Sequence, residues 1–136
     1  MDLSVFEIAT DGVPLHLQHP LTGEPLYADE AKTQPITVAL VGLDSPEYTA
    51  HQRSMVDKRL SPDNKKKISA AQIDDEALRG LAVCIKGWTG FIANGEPVQC
   101  TEDAKMSVLK RYPHLKRQID AFVAKSENFL KVSRQS

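Results

Sequence analysis

The chain has 136 residues, a formal net charge of −1 at pH 7 and 41% hydrophobic residues. This length suits a single domain over 1–136 with its own hydrophobic core. The balanced charge argues against a dedicated nucleic-acid-binding protein, which usually carries a basic excess. No segment approaches the ~20 apolar residues of a membrane span, and the first residues lack a signal-peptide pattern, so we expect a cytosolic protein without membrane contact.

Residues 1–43 are predicted to be rich in β-structure. Apolar and polar residues alternate loosely in 3–9 and clearly in 13–18, which is the pattern of half-buried strands. Prolines and a glycine mark a turn at 19–26. The segment 35–42 combines β-branched residues with an absence of charge, so we place it inside the sheet.

The segment 44–60 is predicted to form a helix that begins at about residue 46. Ser45 suits the N-cap and Pro46 the first helical position, while Glu47 complements the positive end of the helix dipole. The apolar face of this helix is thin and consists of Tyr48, Met55, Val56 and Leu60. Such a helix packs loosely, or packs against something outside this chain.

A polar linker is predicted over 61–68, followed by a helix–hairpin–helix–helix part over 69–132 and a frayed tail at 133–136. The linker contains Lys65, Lys66 and Lys67. Three lysines without interleaved aromatic residues are more typical of a solvated loop than of a phosphate-binding site.

The helix that opens the 69–132 part is predicted from a capping box. Ser69 and Gln72 have the required spacing, and apolar residues at helical spacing extend the predicted helix to Gly87. The acidic residues of this helix are Asp74, Asp75 and Glu76. We interpret them as first-turn charges that complement the helix dipole rather than as acid–base catalysts.

A tight hairpin is predicted next, because Asn94 and Gly95 both tolerate the positive φ that a two-residue turn requires. Trp88 is predicted to anchor this hairpin on the preceding helix, with a protein-contact hot spot as the alternative. Pro97 makes the return strand an edge strand, and Thr101 caps the following helix.

The last helix is predicted over 114–131. Tyr112 precedes Pro113 and should end the helix before it, because a residue before proline avoids the α region. Phe129 and Leu130 lie at the far end of the last helix, where they either hold it against the core or stay exposed for a partner.

The sequence predicts an α+β fold with no catalytic residue, cofactor or metal site. None of the common nucleotide-binding, hydrolase or zinc-protease motifs occurs. His16 and His19 would point to opposite faces of a strand, so they cannot easily chelate one ion. Cys84 and Cys100 have no second Cys or His at metal spacing, and we interpret them as reduced thiols.

The order of turn and cap residues resembles the tail assembly chaperones of long-tailed (siphophage-type) bacteriophages. The residues that carry this resemblance are Ile85, Gly87, Trp88 and Gly90; Gly95, Glu96 and Pro97; Thr101 and Glu102; Tyr112, Pro113 and Leu115; and Ile119, Asn128 and Phe129. The turn at 21–26 and the junction formed by Val41, Gly42, Asp44 and Ser45 are also similar to that family. The extended lysine-containing linker departs from the pattern.

The resemblance implies a non-enzymatic protein that binds the phage tape measure protein, a long helical polypeptide that sets tail length. It would keep this client soluble in the host bacterial cytoplasm and be absent from the mature virion. Self-association is expected too, because a filamentous client favours repeated contacts between copies. The candidate partner-binding residues are Tyr48, Met55, Phe129 and Leu130.

Two other classes of function compete with the chaperone hypothesis. One is a phage structural protein, such as a tail-tube, tail-completion or head–tail joining subunit. The other is a small DNA-binding or regulatory protein that uses Lys65 to Lys67 and a helix, and it predicts steeply salt-dependent DNA binding.

Overall fold

A three-stranded antiparallel sheet lies at the centre of the structure, a computed structural model that describes residues 2–61 and 69–130. Its strands, in spatial order, are β1 (Val13–His16), β2 (Thr37–Leu40) and β3 (Ile85–Thr89). The central strand β2 belongs to the uncharged segment that was predicted to lie inside the sheet. Val38 and Leu40 of β2 are fully buried, as a strand paired on both edges and covered by helices requires.

Four α-helices and a small second hairpin complete the α+β fold within the described residues. The helices are α1 (Pro46–Leu60), α2 (Ala70–Val83), α3 (Glu102–Arg111) and α4 (Pro113–Val123). The hairpin pairs β4 (Ile92–Ala93) with β5 (Glu96–Pro97). Single 3₁₀ turns at Leu3–Phe6 and Ser126–Phe129 lie near the two ends of the described chain.

The helix starts are confirmed where a side-chain cap was predicted. Ser45, Ser69 and Thr101 each accept a hydrogen bond from a backbone N–H in the first turn of α1, α2 and α3, respectively. Gln72 completes the capping box because its side chain accepts from the Ser69 backbone N–H, with 3.1 Å between N and Oε1. These bonds satisfy donors that the helix itself leaves unpaired, so they fix where each helix begins.

The predicted tight turn is also confirmed. Asn94 has a φ of 54° and Gly95 a φ of 80°, and these two residues connect β4 to β5. The two residues that tolerate positive φ therefore specify this hairpin, as they do for two-residue turns in general.

The end of α2 differs from the prediction, because the helix stops at Val83 rather than at Gly87. Ile85 was predicted to lie in this helix and Trp88 in the hairpin that follows it. Both lie on β3 instead. Ile85 pairs with Leu40 of β2 and is 1% exposed. Pairing with a distant strand has therefore overridden the helical spacing of the apolar residues, which is a common outcome of tertiary context.

Trp88 connects β3 to the chain beyond the small hairpin. Its indole Nε1–H donates to the Val98 carbonyl at 2.8 Å, and its ring stacks on Phe91 with 4.7 Å between ring centroids. The side chain is half-buried and packs against the core. Trp88 thus holds β3 to Phe91 and Val98 on either side of the small hairpin, whereas the prediction had it hold the hairpin to the preceding helix.

The segment 3–9 forms no strand, which corrects the prediction: Leu3–Phe6 are a 3₁₀ turn. The Asp2 carboxylate caps the turn by accepting from the Ser4 backbone N–H at 2.9 Å. Ile8 then forms only an isolated antiparallel bridge with Leu130. The adjacent apolar residues Val5 and Phe6 break the period of two that a half-buried strand needs.

The last helix is shorter than predicted, because α4 ends at Val123 and not near 131. The Asn128 side chain donates to the carbonyl of Phe122 at 2.9 Å, which adds a side-chain bond to the last turn of α4. The predicted tail at 133–136 lies outside the described residues, as does the linker except for Ser61.

Phe129 is buried as a result of this early helix end. Its ring packs edge-on against Phe122, with 5.5 Å between centroids, and it also covers Gly42. The residue is 4% exposed. Its backbone carbonyl accepts from the Ala9 N–H at 2.6 Å, so the two ends of the described chain are joined beside the sheet.

We predict that Phe129→Ala lowers the free energy of unfolding by about 3–5 kcal/mol, because it removes a buried aromatic ring and leaves a cavity. Urea unfolding followed by circular dichroism would measure the change. Leu21→Ala is the control: its side chain is 89% exposed, so a change below about 0.5 kcal/mol is expected. Equal stability of the two variants would contradict a core role for Phe129.

Candidate partner-binding surface

The helix α1 is attached to the rest of the protein by few apolar contacts. None of its fifteen residues, all of which the structure describes, is buried. Tyr48 and Met55 are half-buried, whereas Val56 is 49% and Leu60 77% exposed. The thin apolar face expected from the sequence is therefore present, and part of it remains uncovered by the described residues.

Tyr48 packs against α2. Its ring lies over Gly80 of α2, where a Cβ atom would be 3.4 Å from the ring and so in ordinary van der Waals contact. The Tyr48 hydroxyl accepts from the Gln52 amide at 2.6 Å. Tyr48 is consequently a packing residue of α1 as well as a member of its surface.

A shallow cleft of about 260 Å³ runs between α1 and α2. Its apolar lining includes Tyr48, Met55 and Val56 from α1 and Ile73 from α2. Ile73 is 52% exposed. We call these four residues the α1–α2 face.

Charged groups of both signs border this face. The Arg59 guanidinium lies 2.7 Å from the Glu76 carboxylate across the cleft. Both side chains are partly exposed, at 49% and 30%, so the pair adds at most about 1 kcal/mol to stability. The lining of the cleft therefore combines apolar side chains with polar and charged ones.

The other two predicted contact residues have different surroundings. Phe129 is buried in the core, so it cannot contribute its ring to an exposed surface, and we remove it from the candidate site. Leu130 is half-buried and bridges to Ile8. Neither residue adjoins the α1–α2 face, because both lie at the end of α4 beside Gly42.

A second apolar depression, which sequence reasoning missed, lies at the opposite end of the sheet. It measures about 420 Å³ and continues into a neighbouring depression of about 310 Å³. We call the two together the end groove; its apolar lining includes Leu17, Leu26, Ile36, Phe91, Ile92 and Leu115. Arg111 and His114 also line it, and no carboxylate does among the residues that the structure describes.

His16 and His19 each hydrogen-bond to a backbone group through one ring nitrogen. The His16 Nε2–H donates to the Leu26 carbonyl at 2.7 Å, and His19 Nδ1 accepts from the Leu21 N–H at 3.1 Å. Over residues 2–61 and 69–130, no three His, Cys, Asp or Glu side chains form a group that could hold a metal ion. The same part of the chain contains no helix long and apolar enough to cross a membrane.

The acidic residues of α2 lie in its second turn rather than its first, which corrects their interpretation as dipole charges. Asp75 accepts from Arg79 at 2.8 Å and lies 3.8 Å from the Lys110 ammonium. The hydrogen bond from Arg79 is the main reason that the pKa of the Asp75 carboxyl is lowered. Together with Glu76, which pairs with Arg59, Asp75 links α2 to its two neighbouring helices.

The two thiols have little nucleophilic character. Cys84 is fully buried beside the sheet, and this burial raises the pKa of its thiol to about 11. Cys100 is half-buried, and burial raises its pKa as well. Since the thiolate is the reactive form, neither residue resembles an activated catalytic cysteine.

We predict that Cys100 reacts with iodoacetamide at pH 8 much faster than Cys84. A pKa of about 11 for Cys84 leaves roughly one thiol in a thousand ionised at that pH, and its burial also blocks the reagent. Mass spectrometry of timed samples would measure both rates, and Cys100→Ser would isolate the slow reaction. In urea the two rates should become similar; equal rates in the folded protein would contradict the burial of Cys84.

Comparison of the chain with protein-family models, with curated proteins and with solved structures finds no match. A functional proposal for this protein therefore depends on its own surfaces and on the resemblance of its turn and cap residues.

Proposed function

We propose that the chain is a bacteriophage tail assembly chaperone, which binds the tape measure protein and keeps it soluble in the host cytoplasm during tail assembly. The resemblance described above supports the choice of client. The structural feature that supports a binding role is α1, a fifteen-residue helix that buries none of its residues and borders the apolar α1–α2 face. In this proposal the chaperone is not retained in the virion.

The α1–α2 face suits a helical client. The cleft lies between two helices, and an amphipathic helix can place its apolar stripe in such a groove through residues spaced by three and four. Val56 and Ile73 are half-exposed on opposite walls, so a client side chain that enters the cleft could contact both. An elongated helical client that is left uncovered exposes apolar stripes and aggregates.

The composition of the face also suits a chaperone that binds many segments of one client. Met55 is unbranched and adapts its shape to different apolar side chains. Arg59 and Glu76 at the rim provide both signs of charge, so polar residues of either sign on the client can be accommodated. Such a surface favours broad recognition of apolar stripes over one exact sequence.

Co-expression with the tape measure protein encoded in the same phage genome tests this function. We expect a soluble complex with this chain and an insoluble client without it. An insoluble client together with a folded, unbound chain would contradict the proposal.

Mass spectrometry of purified particles distinguishes the structural-protein alternative. We expect the chain to be absent from virions, and its presence there would favour a structural tail protein. DNA binding that falls steeply with salt would favour a regulatory protein instead.

We predict that Val56→Asp/Ile73→Asp reduces recovery of soluble client at least about tenfold, because it places two carboxylates in an apolar contact where burial of an unpaired charge is costly. Recovery in the co-expression assay is the measurement, and circular dichroism verifies folding. Leu21→Asp is the matched control, since Leu21 is 89% exposed and lies outside the α1–α2 face. Normal recovery with the folded double variant would show that the client binds elsewhere.

A further inference from the structure

The 3₁₀ turn at the start of the described chain presents apolar side chains outward. Leu3 is 70%, Val5 43% and Phe6 64% exposed. Asp2 and Glu7 flank these residues, so the segment 2–7, which we call the acidic turn, combines apolar side chains with negative charge. Burial of Leu3 and Phe6 against another surface would remove a large apolar area from water.

Hydrogen bonds attach the acidic turn to the rest of the protein. The Asp2 carboxylate caps it through the Ser4 N–H. Directly after the turn, Ile8 bridges to Leu130 and the Ala9 N–H donates to the Phe129 carbonyl. The turn is therefore a fixed protrusion at one end of the molecule.

The end groove has the complementary properties. Its lining is apolar, and its ionisable members include Arg111 and His114 but no carboxylate among the described residues. Ile92 of strand β4, which is 65% exposed, lines the groove from the small hairpin. An apolar ligand with flanking carboxylates would match both the shape and the charge of this site.

One chain cannot place its acidic turn in its own end groove. The turn is anchored beside Gly42, which Phe129 covers, whereas Ile36 lines the groove at the other end of β2. Six residues of extended chain separate Gly42 from Ile36, which corresponds to about 20 Å. Phe6 is only two residues from its bridged neighbour Ile8, a reach of about 7 Å.

We propose that the acidic turn of one copy docks into the end groove of a second copy. Leu3 and Phe6 would lie against the apolar lining, and the negative charge of Asp2 would face Arg111 and His114 of the second copy. Because the two contact surfaces differ, an open assembly keeps one unused groove at one end and one unused acidic turn at the other. Such head-to-tail contacts produce rings or open chains rather than two-fold dimers. The contact requires no client.

Sedimentation velocity of the purified full-length chain, without client, tests this contact with two variants. The turn variant is Leu3→Ser/Phe6→Ser, and the groove variant is Ile92→Asp/Arg111→Glu; all four positions are exposed. We expect the wild type to grow beyond a dimer with concentration and to dissociate at high salt. Each variant alone should be monomeric, with self-association weakened at least about tenfold.

A mixture of the two variants provides the decisive result. The intact turn of the groove variant can bind the intact groove of the turn variant, so the mixture should form a dimer with one copy of each. Leu60→Ser is the control, because Leu60 is 77% exposed on α1 and should associate as the wild type does. Circular dichroism verifies folding, and Phe6→Ser and Arg111→Glu alone replace any double variant that fails to fold.

Three results would overturn the head-to-tail contact. A wild type that stays monomeric at the highest soluble concentration would exclude it, and so would a groove variant that still associates alone. A mixture of variants that remains monomeric would show that the turn and the groove do not bind each other. None of these results depends on the client. The proposed chaperone function is therefore tested separately, by co-expression with the client.

Discussion

The pairing of β2 with a strand on each side is the constraint on which the rest of the structure depends. Val38 and Leu40 are buried because β1 and β3 cover the edges of β2 while helices cover its face. The two ends of β2 also carry different features of the molecule. The Gly42 end carries the acidic turn and the start of α1, and the Ile36 end carries the groove.

Features that depend on neighbouring residues could be predicted from the sequence. Ser45, Ser69 and Thr101 determine the helix starts, and Asn94 with Gly95 determines the small hairpin, because each acts through bonds or torsions within a few residues. The wrong assignment of β3 depended on a distant partner. Ile85 continues the helical spacing of the apolar residues before it, yet it pairs with Leu40 of β2, 45 residues earlier in the chain.

Of the candidate surfaces, likewise, only the part formed by neighbouring residues could be predicted from the sequence. The thin apolar face of α1 is visible in the sequence, because the 3.6-residue period alone shows how few apolar residues the helix has. Ile73, which completes the cleft, belongs to another helix and could not be assigned to it. The end groove takes its walls from Leu17, Leu26 and Ile36 outside the strands, from the small hairpin, and from α3 and α4, so no local pattern reveals it. Phe129 was placed in the last helix, whereas α4 ends at Val123 and Phe129 lies in the following 3₁₀ turn.

The two proposed contacts use different parts of the molecule, and this separation has a physical consequence. The α1–α2 face lies on the helices beside the sheet, and the head-to-tail contact uses the two ends of the sheet. A copy joined to its neighbours could therefore still bind client. Once one copy holds a client segment, its neighbour meets the next segment at a high effective concentration, which can raise overall avidity by about 10²–10⁴ without any new kind of contact. A weak and adaptable face on each copy is then sufficient to cover a long helical client, and removing the end contact would weaken client binding although the face itself is intact.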